Sequence, residues 1–420
     1  MKRLVAVAFS LVALTGPLTA QHAGAPGKAL EIYVVDTEGG KAALWVSPSG
    51  QSLLIDSGNP GDRDLNRIMA AISDAGLKQI DFLISTHYHG DHIGGLVELA
   101  KRIPIGHYID HGPTVETRQQ VTGFDAAYAE LYGKARHTVA KPGDKIPIAG
   151  LDWRIVTSAG KALKTPLPGG GKTNPACAGV PTKDPSPTDD NGQSVGSVIT
   201  FGQFRAIDLG DLLWNNELEL VCPTNPIGSV DVYFVTHHGL DQSGAPPLVH
   251  GVQPRVAIMQ NGTRKGAGTQ AMPTTASSPG LEDIWQLHWS YNAGIEQNSA
   301  GVFIANVDDA ATIANVLTAP PRGGGPGGGP AGSLPATGGA PPAGAPPPPT
   351  SSPAAAAPAP GPAPQAPAAG APAGGAGRGA AAAAAAHTPA YWIKLSVQPN
   401  GTFTVTNSRN GFSKTYVKRR

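Results

Sequence analysis

The chain has 420 residues with 31 basic and 30 acidic side chains, so its formal net charge is +1. This balance excludes the strongly basic surface expected of a protein that binds nucleic acid or an anionic membrane through charge. The 55 glycines and 41 prolines indicate that part of the chain lies outside any packed core.

The N-terminal residues 1–20 have the pattern of an export signal. Lys2 and Arg3 precede a mostly apolar run, 4–15, and the small residues of 18–20 suit a cleavage site. The apolar run is too short to span a bilayer comfortably as a permanent helix. We therefore expect a periplasmic or secreted protein with no membrane span after signal cleavage.

From residue 29 onward, short strand-like runs alternate with amphipathic segments, which predicts one domain over residues 29–318. The predicted strands are 31–35, 43–46, 51–55, 81–85, 153–157, 197–201, 204–209, 230–236 and 256–260. The predicted helices are 64–75, 93–102 and 117–135.

The segment 161–192 is a long polar stretch dense in Gly, Pro, Ser and Thr, as lids and binding loops often are. It contains Cys177, and the second cysteine, Cys222, follows it in the chain. An oxidising compartment would allow a disulfide between the two, but the sequence does not show whether they are close enough.

Residues 319–387 consist almost entirely of Pro, Gly and Ala, so they cannot bury enough apolar surface to fold. They predict a disordered insertion. Beyond it, 391–397 and 402–406 alternate in polarity around a Pro-Asn-Gly turn, which is typical of a hairpin. We expect residues 388–420 to return to the main domain, because about 30 residues rarely build a core of their own.

The segment 86–95 places three imidazoles and one carboxylate within six positions, at His87, His89, Asp91 and His92. These are ligand types that zinc, manganese and iron accept in hydrolytic sites. In a strand, His87 and His89 would share one face, and the glycine after them would let Asp91 and His92 approach from another side. The pattern favours two metal ions that share one loop.

Further ligands are expected at other strand ends. Asp211 could bridge two metals, or it could cap the helix that follows it. His237 and His238 end another predicted strand, and because adjacent strand residues point opposite ways, we expect only one of them to bind metal. Asp56 ends a third strand, where it could orient the histidine loop through hydrogen bonds.

Taken in order, these motifs resemble the metallo-β-lactamase superfamily over residues 29–316. The resemblance is carried by Leu54-Ile55-Asp56-Ser57-Gly58, His87-Tyr88-His89-Gly90-Asp91-His92, Gly210-Asp211 and Thr236-His237-His238-Gly239. It implies an α+β fold, a four-layer αββα sandwich of two similar halves, with a dinuclear site at one edge of the sheets. It also implies that His87 and His89 bind the first metal, Asp91 and His92 the second, that Asp211 bridges them, and that His237 completes the second site.

One position departs from the pattern of many superfamily members, which place a further histidine in a Gly-His-Thr-like context before the bridging aspartate. Here the corresponding segment is Asp189-Asp190-Asn191-Gly192-Gln193-Ser194. This is similar to the hydrolase domain of bacterial DNA-uptake competence proteins and to phosphorylcholine esterases, which also have the His-His-Gly element. Asp190, Asn191 or water could complete the first site.

The resemblance predicts an exported enzyme that binds two divalent metal ions, with zinc favoured and manganese or iron as alternatives. Such ions lower the pKa of a bridging water and so generate a hydroxide nucleophile. Asp91 would orient the hydroxide, and His238 or a metal-bound water would protonate the leaving group.

The expected substrate is a small phosphodiester or phosphate ester. The alternatives are a lactam, lactone or thioester hydrolase and, from another class, a non-catalytic metal- or ligand-binding protein. The basic turn 261–266 could hold a phosphate, although its Asn-Gly pair favours an ordinary exposed turn. Metal identity and oligomeric state are left open.

Overall fold

The computed structural model describes residues 28–183, 188–291, 297–307 and 390–418. The predicted export signal and the predicted insertion lie outside the described residues. All described residues belong to one compact unit, so the C-terminal segment 390–418 belongs to the same unit as the rest. Within the described ranges, no helix has the length and apolarity needed to span a membrane.

The strands of the described residues are, in chain order, β1 (Leu30–Val34), β2 (Ala43–Val46), β3 (Ser52–Ile55), β4 (Phe82–Ile84), β5 (His107–Asp110), β6 (Arg136–Val139), β7 (Lys145–Ile146), β8 (Asp152–Ser158), β9 (Lys161–Ala162), β10 (Lys172–Thr173), β11 (Gly196–Phe201), β12 (Phe204–Asp208), β13 (Thr224–Asn225), β14 (Val232–Phe234), β15 (Val256–Met259), β16 (Asp283–His288), β17 (Ile304–Asn306), β18 (Ile393–Val397), β19 (Phe403–Asn407) and β20 (Ser413–Tyr416). The α-helices are α1 (Asp62–Asp74), α2 (Gly90–Ile93), α3 (Leu96–Arg102), α4 (Gln119–Tyr132), α5 (Trp214–Val221), α6 (Pro246–Val252) and α7 (Ala271–Ala276).

Two large mixed sheets form the centre of the molecule. The first has the strand order β20-β19-β18-β1-β2-β3-β4-β5-β6, and the second has the order β17-β16-β15-β14-β12-β11-β8-β7, with β9 paired to β8. Each sheet has an antiparallel side and a parallel side. The parallel strands are β3, β4, β5 and β6 in the first sheet and β12, β14, β15, β16 and β17 in the second.

Three apolar clusters define the layers. One lies between the sheets, where Trp45 packs edge-on against Trp153 with ring centroids 5.1 Å apart. The second covers the outer face of the first sheet with α1, α3 and α4, and the third covers the outer face of the second sheet with α5, α6 and α7. The predicted αββα sandwich is therefore confirmed. Each large apolar side chain buried in these layers stabilises the fold by about 1.5–3 kcal/mol relative to an exposed one.

The two halves place their functional segments in equivalent positions. Asp56 follows β3 in the first sheet and Asp211 follows β12 in the second, and each of these strands begins the parallel part of its sheet. The next parallel strands, β4 and β14, are followed by the histidine loop and by the His237–His238 turn. Because parallel strands end at the same edge, these segments meet there.

The C-terminal segment extends the first sheet. β18 pairs antiparallel with β1, so that Tyr33 lies opposite Lys394, and β19 pairs with β18. A third strand, β20, follows the two strands of the expected hairpin and pairs with β19.

In its described residues, the polar stretch 161–192 is anchored by a strand pairing and by a disulfide. β10 pairs with β13 in a two-stranded sheet, and Cys177 and Cys222 form a disulfide across a separation of 45 residues. The cross-link joins this stretch to the residue that follows α5, so the segment is anchored to the helical layer of the second half.

Candidate metal centre

The histidine loop is a short irregular segment and not the end of a strand. β4 ends at Ile84, and α2 begins at Gly90, so Asp91 and His92 lie on a single helical turn. The predicted helix 93–102 is interrupted at Gly94 and Gly95, which lie between α2 and α3. An added Cβ on Gly95 would lie 2.3 Å from the carbonyl oxygen of Ser57, and one on Gly94 would lie 2.4 Å from Pro60 Cδ. The glycine pair is therefore what lets this loop pack against the segment after Asp56.

Four ligand-type atoms from three segments converge beside the loop. Asp91, His92, Asp211 and His238 each place one such atom within 4.8 Å of all the others. Asp211 Oδ2 lies 3.1 Å from both His92 Nε2 and His238 Nε2, and the two imidazole nitrogens are 3.2 Å apart. Asp91 Oδ2 lies 3.3 Å from His92 Nε2 and 3.4 Å from His238 Nε2.

The chemistry of these four residues fits a divalent cation. Two imidazole nitrogens and two carboxylate oxygens are a common donor set for zinc, manganese or iron. Among the described residues, the second carboxylate oxygen of Asp211 is buried and has no hydrogen-bond partner. A buried carboxylate oxygen without a partner is costly unless a cation satisfies it, which is what a bridging ligand requires.

Asp56 orients His92 toward this point. Its buried carboxylate accepts hydrogen bonds from the backbone N–H of Thr86 at 2.8 Å and the Thr86 hydroxyl at 2.7 Å, and it lies 2.8 Å from His92 Nδ1. Because a carboxylate accepts, Nδ1 carries a proton, so Nε2 is the nitrogen whose lone pair a bound metal would take. Burial raises the pKa of Asp56, although the hydrogen bonds oppose the rise.

The electrostatics of the cluster are those of a cation site. Burial alone would lower the pKa of His92, but the carboxylates of Asp211 and Asp91 hold it well above its usual value. Burial likewise opposes ionisation of Asp91, yet Lys265 and His92 keep its pKa well below the usual range. The carboxylates therefore stay ionised and require positive charge close by.

The structure brings His238, and not the expected His237, into the group of four ligand-type residues. His238, assigned to proton transfer in the sequence analysis, lies in the ligand cluster, whereas His237 Nε2 lies 3.5 Å from Asp211 Oδ2 and outside the group of four. The reason is the backbone: both residues have positive φ, 54° and 58°, so they form a tight turn and do not alternate as in a strand.

Hydrogen bonds fix the two rings differently. His238 Nδ1 lies 3.0 Å from the carbonyl oxygen of Gln260, so it carries the proton and Nε2 faces the cluster as an acceptor. His237 Nδ1 lies 3.1 Å from the hydroxyl of Ser243. Burial lowers the pKa of His237 to about 4, so that ring is neutral at pH 7.

The first metal position is less complete. His87 Nδ1 contacts the Thr86 hydroxyl at 3.1 Å. Among the residues that the structure describes, His87 Nε2 and Asn191 Oδ1 are both buried without a hydrogen-bond partner. Asp190 is occupied elsewhere: its carboxylate accepts from the backbone N–H of Tyr88 at 2.7 Å and lies 3.2 Å from His111 Nε2. Of the two residues considered for the missing histidine, Asn191 therefore has the available oxygen.

His89 lies at the exposed side of this position. Its Nε2 is 2.6 Å from a carboxylate oxygen of Glu116 and 2.7 Å from a guanidinium nitrogen of Arg118. Asp189 completes another group of ligand-type atoms with His89 and Glu116. The ring centroids of His87 and His89 are 4.6 Å apart, and Glu116 and Asp189 lie beside His89, so a first metal would draw on oxygen donors in place of a third histidine.

Sequence reasoning missed Glu116 and Arg118 beside the centre, and it named Lys265 only as part of a turn that could hold a phosphate. Lys265 contacts the carboxylate of Asp91 through its ammonium group. A signal for it existed, since the turn 261–266 was recognised as able to hold an anion. For Glu116 and Arg118 no motif or periodicity in the polar stretch before α4 points to the site.

Comparison with known proteins agrees with this geometry. Residues 36–179 match the family model of the metallo-beta-lactamase superfamily. It is 32% identical over 99 residues to a coenzyme oxidase of Methanothermobacter marburgensis, a match that covers 23% of either protein. It is 28% identical over 125 residues to hydroxyacylglutathione hydrolase of Erwinia tasmaniensis, covering 29% of this chain and 39% of that enzyme. The chain thus spans well under half the length of these relatives.

Among solved structures, a diphosphatase from the PhnP family is similar with a TM-score of 0.34 and 13% identity. That match covers 63% of this chain and 96% of the diphosphatase.

Proposed function

We propose that this protein is an exported metal-dependent hydrolase of a small phosphodiester or phosphate ester, acting through the domain formed by residues 29–318 and 388–420. The observation that carries the proposal is the convergence of Asp91, His92, Asp211 and His238, with one buried oxygen of Asp211 lacking a partner among the described residues. The phosphate ester is favoured by the resemblance of the His-His-Gly element and of the segment around Asn191 to phosphorylcholine esterases.

Two divalent cations, when bound, would supply a nucleophile from water at neutral pH and would stabilise negative charge on the substrate. Asp91, His92, Asp211 and His238 would hold one cation, and His87, His89 and Asn191 would hold the other. Asp56 keeps His92 in the required tautomer, and the carbonyl of Gln260 does the same for His238.

We assign leaving-group protonation to neither histidine of the turn. Both ring nitrogens of His238 are engaged, since Nδ1 donates to the carbonyl oxygen of Gln260 and Nε2 faces the other ligand-type residues. His237 is neutral at pH 7 because burial lowers its pKa to about 4, so it is not an imidazolium donor. Asp91, which is more exposed than the other three ligands, remains the group placed to orient the attacking water.

The Cys177–Cys222 disulfide supports export, because such bonds persist in oxidising compartments and are rare in the cytosol. Export is tested by the N-terminus of the mature protein, which should begin near Gln21 when the intact mass is measured.

The activity is tested with purified full-length protein. Metal content is measured by plasma mass spectrometry, and hydrolysis is measured on bis-p-nitrophenyl phosphate, p-nitrophenyl phosphate, nitrocefin, a lactone and an acyl-glutathione. We expect hydrolysis of a phosphate ester that a chelator abolishes and that Asp211→Asn lowers, while the matched variant Asp152→Asn, at a half-exposed site on β8, has no effect. Hydrolysis of nitrocefin without the phosphate esters would contradict the proposal, and metal-loaded protein inert to every substrate would favour a binding function.

A second candidate is hydrolysis of an acyl-glutathione thioester. The similarity to hydroxyacylglutathione hydrolase favours it, although that match covers only 29% of this chain. The same substrate panel separates the two candidates.

A further inference from the structure

The exposed side of the metal centre carries two cations, one on each arm of the histidine loop. Lys265 contacts Asp91, and Arg118 contacts His89, so the residues that they touch are two positions apart in the chain. The side chains of Lys265 and Arg118 are 32% and 65% exposed, whereas those of His92, Asp211 and His238 are 0–3% exposed. The cations therefore line the side from which a ligand reaches the buried residues.

Lys265 is held in place by a close-packed turn. The N–H of Gly262 donates to the carbonyl oxygen of Lys265 at 2.9 Å, and an added Cβ on Gly266 would lie 1.9 Å from the carbonyl oxygen of His238. The turn also contacts Gly39, whose added Cβ would lie 3.1 Å from Lys265 Cβ. Lys265 is thus fixed against the backbone of a candidate metal ligand and is not on an ordinary exposed turn.

Arg118 is held by a buried carboxylate. Its guanidinium contacts Glu116, which is only 3% exposed and also accepts the backbone N–H of Asp190 at 3.0 Å. A guanidinium anchored on one edge leaves its remaining N–H groups to form the fork that matches two oxygens of a phosphoryl group.

Charge balance explains why the two cations become available to a ligand. Lys265 pairs with Asp91 and Arg118 contacts His89, and both of these partners are ligand-type residues. A divalent cation bound by Asp91 would relieve the need for Lys265 as a counter-charge, and one bound by His89 would free the Arg118 N–H group that contacts that ring. Both would then be drawn toward an anion that approaches the centre.

We propose that Lys265 and Arg118 form an anion-binding pair that holds the phosphoryl group of the substrate against the metal centre. This proposal rests on the proposed function, since it assigns the phosphoryl oxygens of that substrate to two named side chains. It also predicts that the product, inorganic phosphate, binds at the same place.

The test uses the full-length metal-loaded protein and inorganic phosphate as the probe, with binding measured by titration calorimetry. Lys265→Met and Arg118→Met should each weaken phosphate binding about 10- to 100-fold, the range for losing one hydrogen bond to a charged group. Arg118→Lys, which keeps the charge but loses the fork, should be intermediate. Lys101→Met, at an exposed lysine paired with Glu98 on α3, should leave phosphate binding unchanged.

Metal content, measured on the same samples, separates anion binding from support of the metal. Lys265→Met should bind metal at least as tightly as the unaltered protein, because the variant lacks a cation that competes for Asp91. Loss of metal in that variant would overturn the proposal. Unchanged phosphate affinity in both Met variants, or no phosphate binding at millimolar concentrations by the unaltered protein, would overturn it as well.

Kinetics distinguish this proposal from the proposed function. Hydrolysis of bis-p-nitrophenyl phosphate with KM unaffected by either Met substitution would contradict the anion-binding pair but not the proposed hydrolase function. Phosphate binding that depends on both residues, in a protein that hydrolyses no phosphate ester, would support the anion-binding pair and contradict the proposed hydrolase function.

Discussion

Replacing Asp56 with asparagine should weaken metal binding without removing a metal ligand. The two oxygens of Asp56 serve three donors: the N–H and hydroxyl of Thr86 and Nδ1 of His92. An asparagine of the same size has one acceptor oxygen and one NH₂ group, so it cannot serve all three. If the NH₂ faces His92, the ring must accept at Nδ1 and carry its proton on Nε2, where the metal binds.

The alternative orientation of the amide is also unfavourable. With its oxygen toward His92, the NH₂ group of the asparagine faces the backbone N–H of Thr86, which leaves a buried donor unsatisfied at about 1–3 kcal/mol. Loss of such an orienting partner typically reduces metal affinity 10- to 100-fold, which corresponds to about 1.4–2.7 kcal/mol. The two estimates overlap, so neither orientation avoids the penalty.

The assay is competition for zinc against a chromophoric chelator, with the free energy of unfolding measured in urea on the same samples. The matched control is Asp110→Asn, because Asp110 is also buried and its carboxylate lies 2.6 Å from a histidine, His137, away from the cluster. The control should lose stability but keep its metal affinity. If Asp56→Asn binds zinc as tightly as the unaltered protein, the assigned tautomer of His92 is wrong.

Three further predictions concern other parts of the structure. His238→Ala should lose bound metal while His237→Ala retains it, as measured by plasma mass spectrometry; the reverse result would restore the ligand set that the resemblance implies. Replacing Cys177 and Cys222 with alanine should lower the free energy of unfolding by about 4 kcal/mol, the chain-entropy value for a closed loop of 45 residues, and a loss below about 1 kcal/mol in urea would contradict it. Burial raises the pKa of Glu217 from 4.5 to about 7, so its contribution to stability is complete below pH 4.5 and is lost as the pH rises through 7. Between pH 4.5 and pH 8 the unaltered protein should lose about 3 kcal/mol more than Glu217→Gln, and parallel pH profiles would show that folding does not raise the pKa of this carboxyl.

Local patterns in the sequence were enough to predict much of the fold. Strand β2 begins and ends at the predicted residues, and Asp56 directly follows a strand, as predicted. The third C-terminal strand was missed because Ser413–Tyr416 is mostly exposed and lacks a clear alternation. Helix α6 was missed because it is short and begins with two prolines.

The site was predictable only where the chain is regular. The expectation that only one of His237 and His238 binds metal rested on the alternation of a strand, and positive φ at both residues removes that alternation. The choice of His237 came from the resemblance alone. Lys265 and Arg118 reach the centre through contacts 174 and 29 residues away in the chain, and no local pattern encodes such contacts.

The pairing of β1 with β18 has a consequence for how the chain folds. Tyr33 and Lys394 are neighbours in the sheet but are 361 residues apart, so strands from both ends of the chain must meet before the first sheet is complete. During synthesis one edge of β1 would therefore stay unpaired until β18 has been synthesised. Pairings of such high contact order form slowly, and an open edge strand invites association with other chains. We therefore expect truncation before residue 390 to produce aggregation in place of a smaller folded protein.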